Sequence, residues 1–100
     1  MKLDKYLDDF YINLIYESYD EDYINNICNN YDIDKNIEIL KKYGFNNLED
    51  ILLNDINILI IEPNKLEKRL SVLKDIIGDN YVDTINDNIE LLDKLILRND

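Results

Sequence analysis

The chain has 100 residues, the size of one domain, and a hydrophobic fraction of 46%, which is enough for a folded core. Its 22 acidic and 11 basic residues give a net charge of −11, which disfavours free nucleic acid as a partner and favours a basic protein surface. There is no histidine and a single cysteine, Cys28, which excludes a zinc site and removes the commonest general base near neutral pH.

The sequence contains no feature of an exported or membrane-spanning protein. No basic start followed by an apolar stretch is present, and the longest unbroken apolar run, 58–61, is far below the roughly 20 residues of a membrane span. A lone cysteine suits a reducing compartment. The absence of Ala and Trp, with abundant Asn, Ile, Lys and Tyr, indicates an AT-rich genome. We therefore expect a cytoplasmic protein of a bacterial or virus-infected cell.

Helical periodicity is clearest in the first segment. Apolar residues recur at three- and four-residue spacing from Leu3 to Ile15, which predicts one amphipathic helix over about 3–18. Its predicted buried stripe consists of Leu3, Tyr6, Leu7, Phe10, Tyr11, Leu14 and Ile15.

Two further helices are predicted between residues 20 and 44. Asp20 is the predicted N-cap of the second helix and Asp34 of the third, and Gly44 is the expected C′ residue that ends the third. The predicted buried residues of these two helices are Ile24, Ile27, Cys28, Tyr31, Ile37, Ile39, Leu40 and Tyr43.

The second half continues the helical pattern. Asn47 with Asp50, and Asn64 with Glu67, resemble capping boxes that open a fourth and a fifth helix. Residues 55–61 between them are ambiguous between a strand and a short buried helical turn, and we favour the turn because a lone strand has no pairing partner. The fifth helix, ending at Gly78, and the last helix, about 80–98, have the predicted buried residues Leu66, Leu70, Leu73, Ile76, Ile77, Val82, Ile85, Ile89, Leu92 and Ile96.

An internal repeat of about 33 residues is predicted. Shifting the chain by 33 residues places Leu40 on Leu73 and Leu52 on Ile85, although Gly44 and Gly78 fall one position out of this register. The sequence therefore predicts an all-α fold in one small domain, 1–100, with five to seven helices arranged as antiparallel helical hairpins. Residues 1–34 form its acidic, tyrosine-rich part, and residues 35–98 form two repeated hairpins.

Two family resemblances accompany this pattern. The series L-x-x-x-G-F, I-L, I-L, P, L-x-x-R-L-x-x-L and G between residues 40 and 92 resembles two units of the mitochondrial transcription termination factor (mTERF) helical repeat. That resemblance implies a curved solenoid that binds nucleic acid, although the usual mid-unit proline is replaced. Residues 23–77, with 44–52 at their centre, also resemble part of a SAM domain, which implies self-association or binding to another protein.

No catalytic, cofactor or metal site is predicted, and we expect the chain not to be an enzyme. Asp32, Asp34 and Asn36 have the spacing that opens a calcium-binding EF-hand loop. However, Ile37 stands where the loop needs glycine, and Tyr43 stands where it needs a bidentate glutamate. Helix capping is therefore the better interpretation of these acidic residues.

The candidate functional residues are acidic and aromatic. Residues 1–34 have a net charge of −7 and residues 75–100 of −5, whereas residues 35–74 have +1, and six of the eight tyrosines lie in the first third. Tyrosine is a frequent interface anchor because it buries a large area and keeps a polar hydroxyl. The predicted partner-binding residues are Asp8, Asp9, Tyr16, Tyr19, Asp20, Glu21, Asp22, Tyr23, Asp79, Asp83 and Asp87.

These observations lead to three functional hypotheses. The first is a small acidic module that binds a protein with a basic surface, either as an inhibitor or immunity protein or as a phage- or virus-encoded blocker of a nucleic-acid-handling protein. The second, implied by the mTERF resemblance, is a nucleic-acid-binding helical repeat whose basic residues are Lys41, Lys42, Lys65, Lys68, Arg69 and Lys74. The third is a SAM-like self-associating interaction domain, suggested by the SAM-like stretch and by a heptad-like seam in the helix at 80–98. In the first hypothesis nucleic acid and membranes are not partners.

Overall fold

Six α-helices and three short 3₁₀ segments account for most of the fold, and no strand is present in residues 2–92, which are the residues that the computed structural model describes (side chains from Leu3). The all-helical prediction is therefore confirmed. The α-helices are α1 (Asp9–Ser18), α2 (Glu21–Asn30), α3 (Ile33–Lys42), α4 (Leu48–Asn54), α5 (Pro63–Ile77) and α6 (Tyr81–Asp87). The 3₁₀ segments are η1 (Lys2–Lys5), η2 (Ile56–Ile60) and η3 (Ile89–Leu92).

The predicted first helix is divided in two. η1 ends at Lys5 and α1 begins at Asp9, with Asp8 in extended conformation as its N-cap. This break rotates the later residues relative to the earlier ones. Leu3 and Leu7 are buried as predicted, but Ile12 is buried in addition and Phe10, which was expected in the buried stripe, is 66% exposed.

The second helix begins where the sequence suggested, whereas the third begins two residues earlier than predicted. The Asp20 carboxylate accepts a hydrogen bond from the Asp22 amide and caps α2, as predicted. The cap of α3 is Asp32, which accepts from the Lys35 amide at 3.2 Å, and the prediction of Asp34 as the cap is wrong. Asp34 lies in the first turn of α3, which leaves its carboxylate available for a contact with η1.

Gly44 ends α3, as its place in the sequence indicated. The Gly44 amide donates to the Lys41 carbonyl and the Phe45 amide to the Leu40 carbonyl, which is the Schellman pattern of a helix C-terminus. Gly44 has φ +95°, and a Cβ atom built there would lie 3.3 Å from Cγ2 of Val82. The backbone conformation therefore favours glycine here, and a side chain at this position would also crowd Val82 of α6.

The ambiguous segment 55–61 is the 3₁₀ segment η2, so the expectation of a short helical turn is confirmed. Its core residues are Ile56, Ile58 and Leu59. The turn is held by Asn36, which is fully buried and donates Nδ2 hydrogen bonds to the carbonyl oxygens of Ile58, Leu59 and Ile61 at 3.1, 3.1 and 2.8 Å. A side chain of α3 thereby satisfies backbone carbonyls that a 3₁₀ turn cannot satisfy itself.

The starts of α4 and α5 lack the predicted capping boxes. Pro63 is the first residue of α5 and Glu62 its N-cap, so the predicted capping box of Asn64 with Glu67 is absent. Asn47 does occupy the N-cap position of α4, but its side chain forms no capping hydrogen bond. Proline suits a first helical position because its missing N–H would have no partner there.

The predicted continuous helix over 80–98 is interrupted. α6 ends at Asp87, Asn88 follows as its C-cap, and η3 continues to Leu92, while residues 93–98 lie outside the described residues. The predicted seam residues in the described part are buried or partly buried against this chain's own core, and they are Val82, Ile85, Ile89 and Leu92. Ile76, expected in the core, is instead 74% exposed near the end of α5.

One hydrophobic core connects the helices. α1 packs against η1 and α4, α3 packs against α5 and η2, and α5 packs against α6. The largest fully buried side chain is Phe45, whose ring meets that of Tyr81 edge-on at 6.1 Å between centroids. The described residues form a single small helical domain.

The order of elements after Tyr31 recurs along the chain. A helix, a positive-φ glycine, a seven-residue helix and a 3₁₀ segment occur twice, and α4 with η2 begins 33 residues before α6 with η3. The first helices of the two sets differ, since α3 has 10 residues and α5 has 15. The 33-residue repeat therefore stays a prediction.

The N-terminal segment is fastened to α3 by Tyr6. Its hydroxyl donates to Oδ1 of Asp34 at 2.5 Å, and Lys41 Nζ lies 5.2 Å from the centre of its ring. The hydrogen bond to Asp34 raises the pKa of Tyr6 to about 12, with burial and the nearby carboxylates as smaller causes. Lys5 adds an ion pair to Asp34 at 3.9 Å, which is exposed and therefore weak.

Because the folded pKa of Tyr6 is raised, its contribution to stability is complete below pH 10 and is lost as pH rises through about 12. We expect the Tyr6→Phe variant to lack this loss, so that its free energy of unfolding falls less between those pH values than that of the wild type. Tyrosinate absorbance should also show one fewer late-titrating tyrosine. A Tyr31→Phe variant, which alters an exposed tyrosine, is the control. Equal pH profiles for wild type and Tyr6→Phe would contradict the assignment.

Candidate protein-binding surface

The acidic residues of the N-terminal third are placed at two separate ends of α1. Asp8 and Asp9 are exposed at its start, whereas Asp20 lies two residues after its last residue and caps α2. A ten-residue helix is about 15 Å long, so the two groups are separated by roughly that distance. Glu21 and Asp22 are exposed in the first turn of α2, where the helix dipole favours negative charge.

The three predicted tyrosine anchors are partly engaged within the fold. The Tyr19 hydroxyl donates to the Leu53 carbonyl at 3.0 Å and accepts from the Ile56 amide at 3.4 Å, which joins the end of α1 to α4 and η2. Tyr23 is 39% exposed, and its hydroxyl donates to Oδ1 of Asn57. Burial raises the pKa of Tyr16, with the nearby Glu21 carboxylate as the next cause.

Phe10 is an aromatic surface residue that the sequence analysis placed in the core. It lies beside Asp8 and Asp9 at the start of α1, and its ring meets that of Tyr11 edge-on at 5.3 Å. An exposed phenylalanine next to carboxylates that pair with no cation among the described residues is a combination suited to an interface, because aromatic burial supplies binding energy and charge supplies orientation. The break after η1 is what exposes it, and the periodicity of the sequence contains no sign of that break.

The acidic residues near the end of the described chain lie around α6. Asp79 is in the turn before this helix, and Asp83 and Asp87 are exposed on it, one turn apart. α6 packs against α5 and η3. These carboxylates are therefore carried by a different part of the fold from those of α1 and α2, and the predicted site comprises three acidic groups.

Asp83 also lines a cleft of about 470 Å³ between the loop that joins α3 to α4 and the exposed side of α6. We call this the α6 cleft, and its lining consists of Gly44, Asn46, Asn47, Glu49, Val82, Asp83 and Asn86. Of these residues the sequence analysis proposed only Asp83 as functional. Glu49 and the three asparagines were missed because their convergence depends on the packing of α6 beside Gly44.

Most of the predicted basic patch is occupied by contacts inside the fold. Lys42 pairs with Glu67 at 3.1 Å, Lys41 and Lys74 lie over the rings of Tyr6 and Tyr81, and Arg69 is 6% exposed. Within the described part of the chain, no such cation pairs with the proposed acidic residues of α1, α2 or α6. Arg69 thus belongs to the core, whereas Lys65 and Lys68 are exposed, as the proposed acidic residues are.

The described residues contain neither a cluster suited to a metal ion nor a helix suited to crossing a membrane. Among residues 2–92, no group of three or more cysteine, aspartate or glutamate side chains is arranged to hold a metal ion. Asp32, which opens the EF-hand-like sequence, serves as a helix cap, and Asn36 is turned into the core. No helix in this part of the chain combines the length and the apolar character that crossing a membrane requires.

Comparison of the chain with protein-family models, curated proteins and solved structures found no match. The mTERF-like and SAM-like resemblances therefore stay predictions.

Proposed function

We propose that this chain is a small acidic protein-binding module that acts on a partner with a basic surface. An inhibitor or immunity protein, or a phage- or virus-encoded blocker of a nucleic-acid-handling protein, has the required properties. Such a protein needs a rigid fold, negative charge and aromatic anchors, and it needs no catalytic group.

The observation that carries this proposal is the set of exposed carboxylates without cationic partners. Asp8, Asp9, Glu21 and Asp22 are all exposed and, within the described residues, none of them forms an ion pair. Like charges held near one another on a surface raise the energy of the free protein, and a basic partner relieves that repulsion. Phe10 supplies an exposed apolar contact within the same surface.

Two observations favour this proposal over the alternatives. Nucleic-acid binding needs an excess of exposed positive charge, but the chain has a net charge of −11 and Arg69 of the basic patch is buried. Self-association through the heptad-like seam needs an exposed apolar stripe, but Ile85 and Leu92 are buried in this chain's own core.

The proposal is tested by affinity capture from an extract of the source cells. The immobilised chain is expected to retain a basic protein at about 50 mM salt and to lose it at about 500 mM, because exposed charges are screened at high ionic strength. The Asp8→Asn/Asp9→Asn variant should retain at least about fivefold less of that protein.

A matched control separates a local effect from a change in total charge. The Glu38→Gln/Asp50→Asn variant also removes two exposed carboxylates, which lie on α3 and α4, and it should retain the partner like the wild type. Capture of nucleic acid, or a particle well above 12.0 kDa with no partner retained, would contradict the proposal and favour one of the other two hypotheses.

A further inference from the structure

The solvent side of α1 carries two apolar side chains that the described core does not use. Phe10 is 66% exposed, and Leu14, one helical turn later, is partly buried but is not among the side chains that pack against the core. Residues four apart on a helix lie about 5–6 Å from each other, so these two are neighbours on one face. Ile12 and Ile15, on the other side of the helix, are buried. We call Phe10 and Leu14 the α1 strip.

The charges around the α1 strip have one sign. Asp8 and Asp9 precede the strip and Glu17 follows it; all three are exposed, and α1 contains no lysine or arginine. Within the described residues, none of these three carboxylates forms an ion pair. By contrast α5, which carries the strongly exposed Ile76, also has exposed lysines. The surroundings of the α1 strip are therefore complementary to lysine and arginine side chains, whereas those of Ile76 are mixed in sign.

The fold holds the α1 strip in position before any partner is bound. α1 packs against η1 and α4 through its other side. The ring of Phe10 meets that of Tyr11 edge-on, and Tyr11 packs against the core. A side chain that is already restricted loses less conformational freedom on binding, so more of its burial energy contributes to affinity.

We propose that α1 is the recognition helix of this chain and that the α1 strip enters an apolar groove of the partner, bordered by lysine and arginine side chains. This inference rests on the proposed function, and it adds the element, the anchors and the shape of the partner's site. Helices that bind in this way place apolar anchors three or four residues apart into a hydrophobic groove. Phe10 is the main anchor, because it exposes the larger apolar area, and the carboxylates beside it meet the borders of the groove.

The apolar and the acidic residues act on different rate constants. An anchor is buried only in the final complex, whereas charges at the edge of an interface steer the encounter. Phe10→Ala should therefore raise the dissociation rate constant at least about tenfold and Leu14→Ala about threefold, each with an association rate constant within about twofold of wild type. Asp8→Asn/Asp9→Asn should instead lower the association rate constant by about fivefold at about 50 mM salt, and this effect should disappear at about 500 mM.

The test uses the basic protein that the immobilised chain retains at low salt, identified by mass spectrometry and purified. Surface plasmon resonance gives both rate constants for the full chain and for each variant, and thermal unfolding verifies that each variant is folded. Ile76→Ala is the matched control, because it shortens an aliphatic side chain that is 74% exposed on α5, and it should leave both rate constants within about twofold. In addition, p-benzoylphenylalanine in place of Phe10 should cross-link to an apolar site of that protein on irradiation, whereas in place of Ile76 it should not.

The outcomes separate failure of this inference from failure of the proposed function. Equal dissociation rate constants for wild type, Phe10→Ala and Leu14→Ala would overturn the inference and leave the proposed function in place, because a basic protein would still be bound. An Ile76→Ala variant as weak as Phe10→Ala, or cross-linking of α1 to a second copy of this chain, would also overturn it. If no basic protein is retained, the proposed function fails and the inference fails with it.

Discussion

The Asn36→Asp variant is expected to lose most of its stability at neutral pH. The two side chains have the same shape, but aspartate replaces the amide that donates to the Ile58, Leu59 and Ile61 carbonyls with a carboxylate that faces them. Asn36 is fully buried, so an ionised group there is uncompensated, and breaking such a site costs about 3–5 kcal/mol. Chemical denaturation at pH 7 measures the loss.

The pH dependence of this loss has a defined sign. Burial raises the pKa of the introduced carboxyl above its unfolded value, so the neutral form is favoured in the folded state. The difference in free energy of unfolding between wild type and Asn36→Asp should therefore shrink as pH falls, because the protonated carboxyl can again donate one hydrogen bond. The same substitution at Asn13, which is exposed in α1, should change stability by less than about 0.5 kcal/mol. Equal effects at both positions would contradict the role of Asn36 as the anchor of η2.

The Phe45→Ala variant is expected to be destabilised by about 3–5 kcal/mol. Phe45 is fully buried, and its ring meets Tyr81 edge-on where the loop after α3 packs against α6. Truncation removes buried apolar surface and leaves a cavity whose walls include two helices. Thermal and urea denaturation measure the change, and Phe45→Leu, which keeps most of the volume, should cost about 1–1.5 kcal/mol.

Phe10 provides a matched control for this prediction, because it is the other phenylalanine of the chain. It is 66% exposed, so Phe10→Ala should alter stability by less than about 0.5 kcal/mol. If Phe10 belongs to the binding surface, the same variant should reduce capture of a basic partner. A loss of stability as large as that of Phe45→Ala would mean that α1 buries Phe10, contrary to the structure.

Local sequence patterns predicted the helices better than their ends. Asp20 and Gly44 were located correctly, because Asp20 precedes two acidic residues that suit a first helical turn and Gly44 permits the positive φ that ends α3. Asp34 was predicted as the N-cap of α3, whereas the actual cap is Asp32, which has the same side chain and lies two residues earlier. In the structure Asp32 caps the helix, whereas Asp34 accepts a hydrogen bond from Tyr6, a contact that spans 28 residues.

In the candidate site, too, some features are predictable from the sequence and others depend on tertiary contacts. The acidic groups could be identified from the sequence because exposed charge requires no tertiary partner, and Asp8, Asp9 and Asp83 are indeed exposed. The α6 cleft could not be identified, because Glu49 and Asp83 are 34 residues apart and no periodicity connects them. Their convergence depends on the close approach of Gly44 to Val82.

The sequence by itself determined the all-helical class, the single-domain size and the acidic surface. Those properties follow from hydrophobic spacing, chain length and net charge, which act residue by residue. The tertiary structure alone decided that Phe10 is exposed, that Asn36 fastens η2 and that the heptad-like residues Ile85 and Leu92 pack inward. These outcomes depend on which helix faces which, and the free energy of burial that selects the arrangement is shared among residues far apart in the chain.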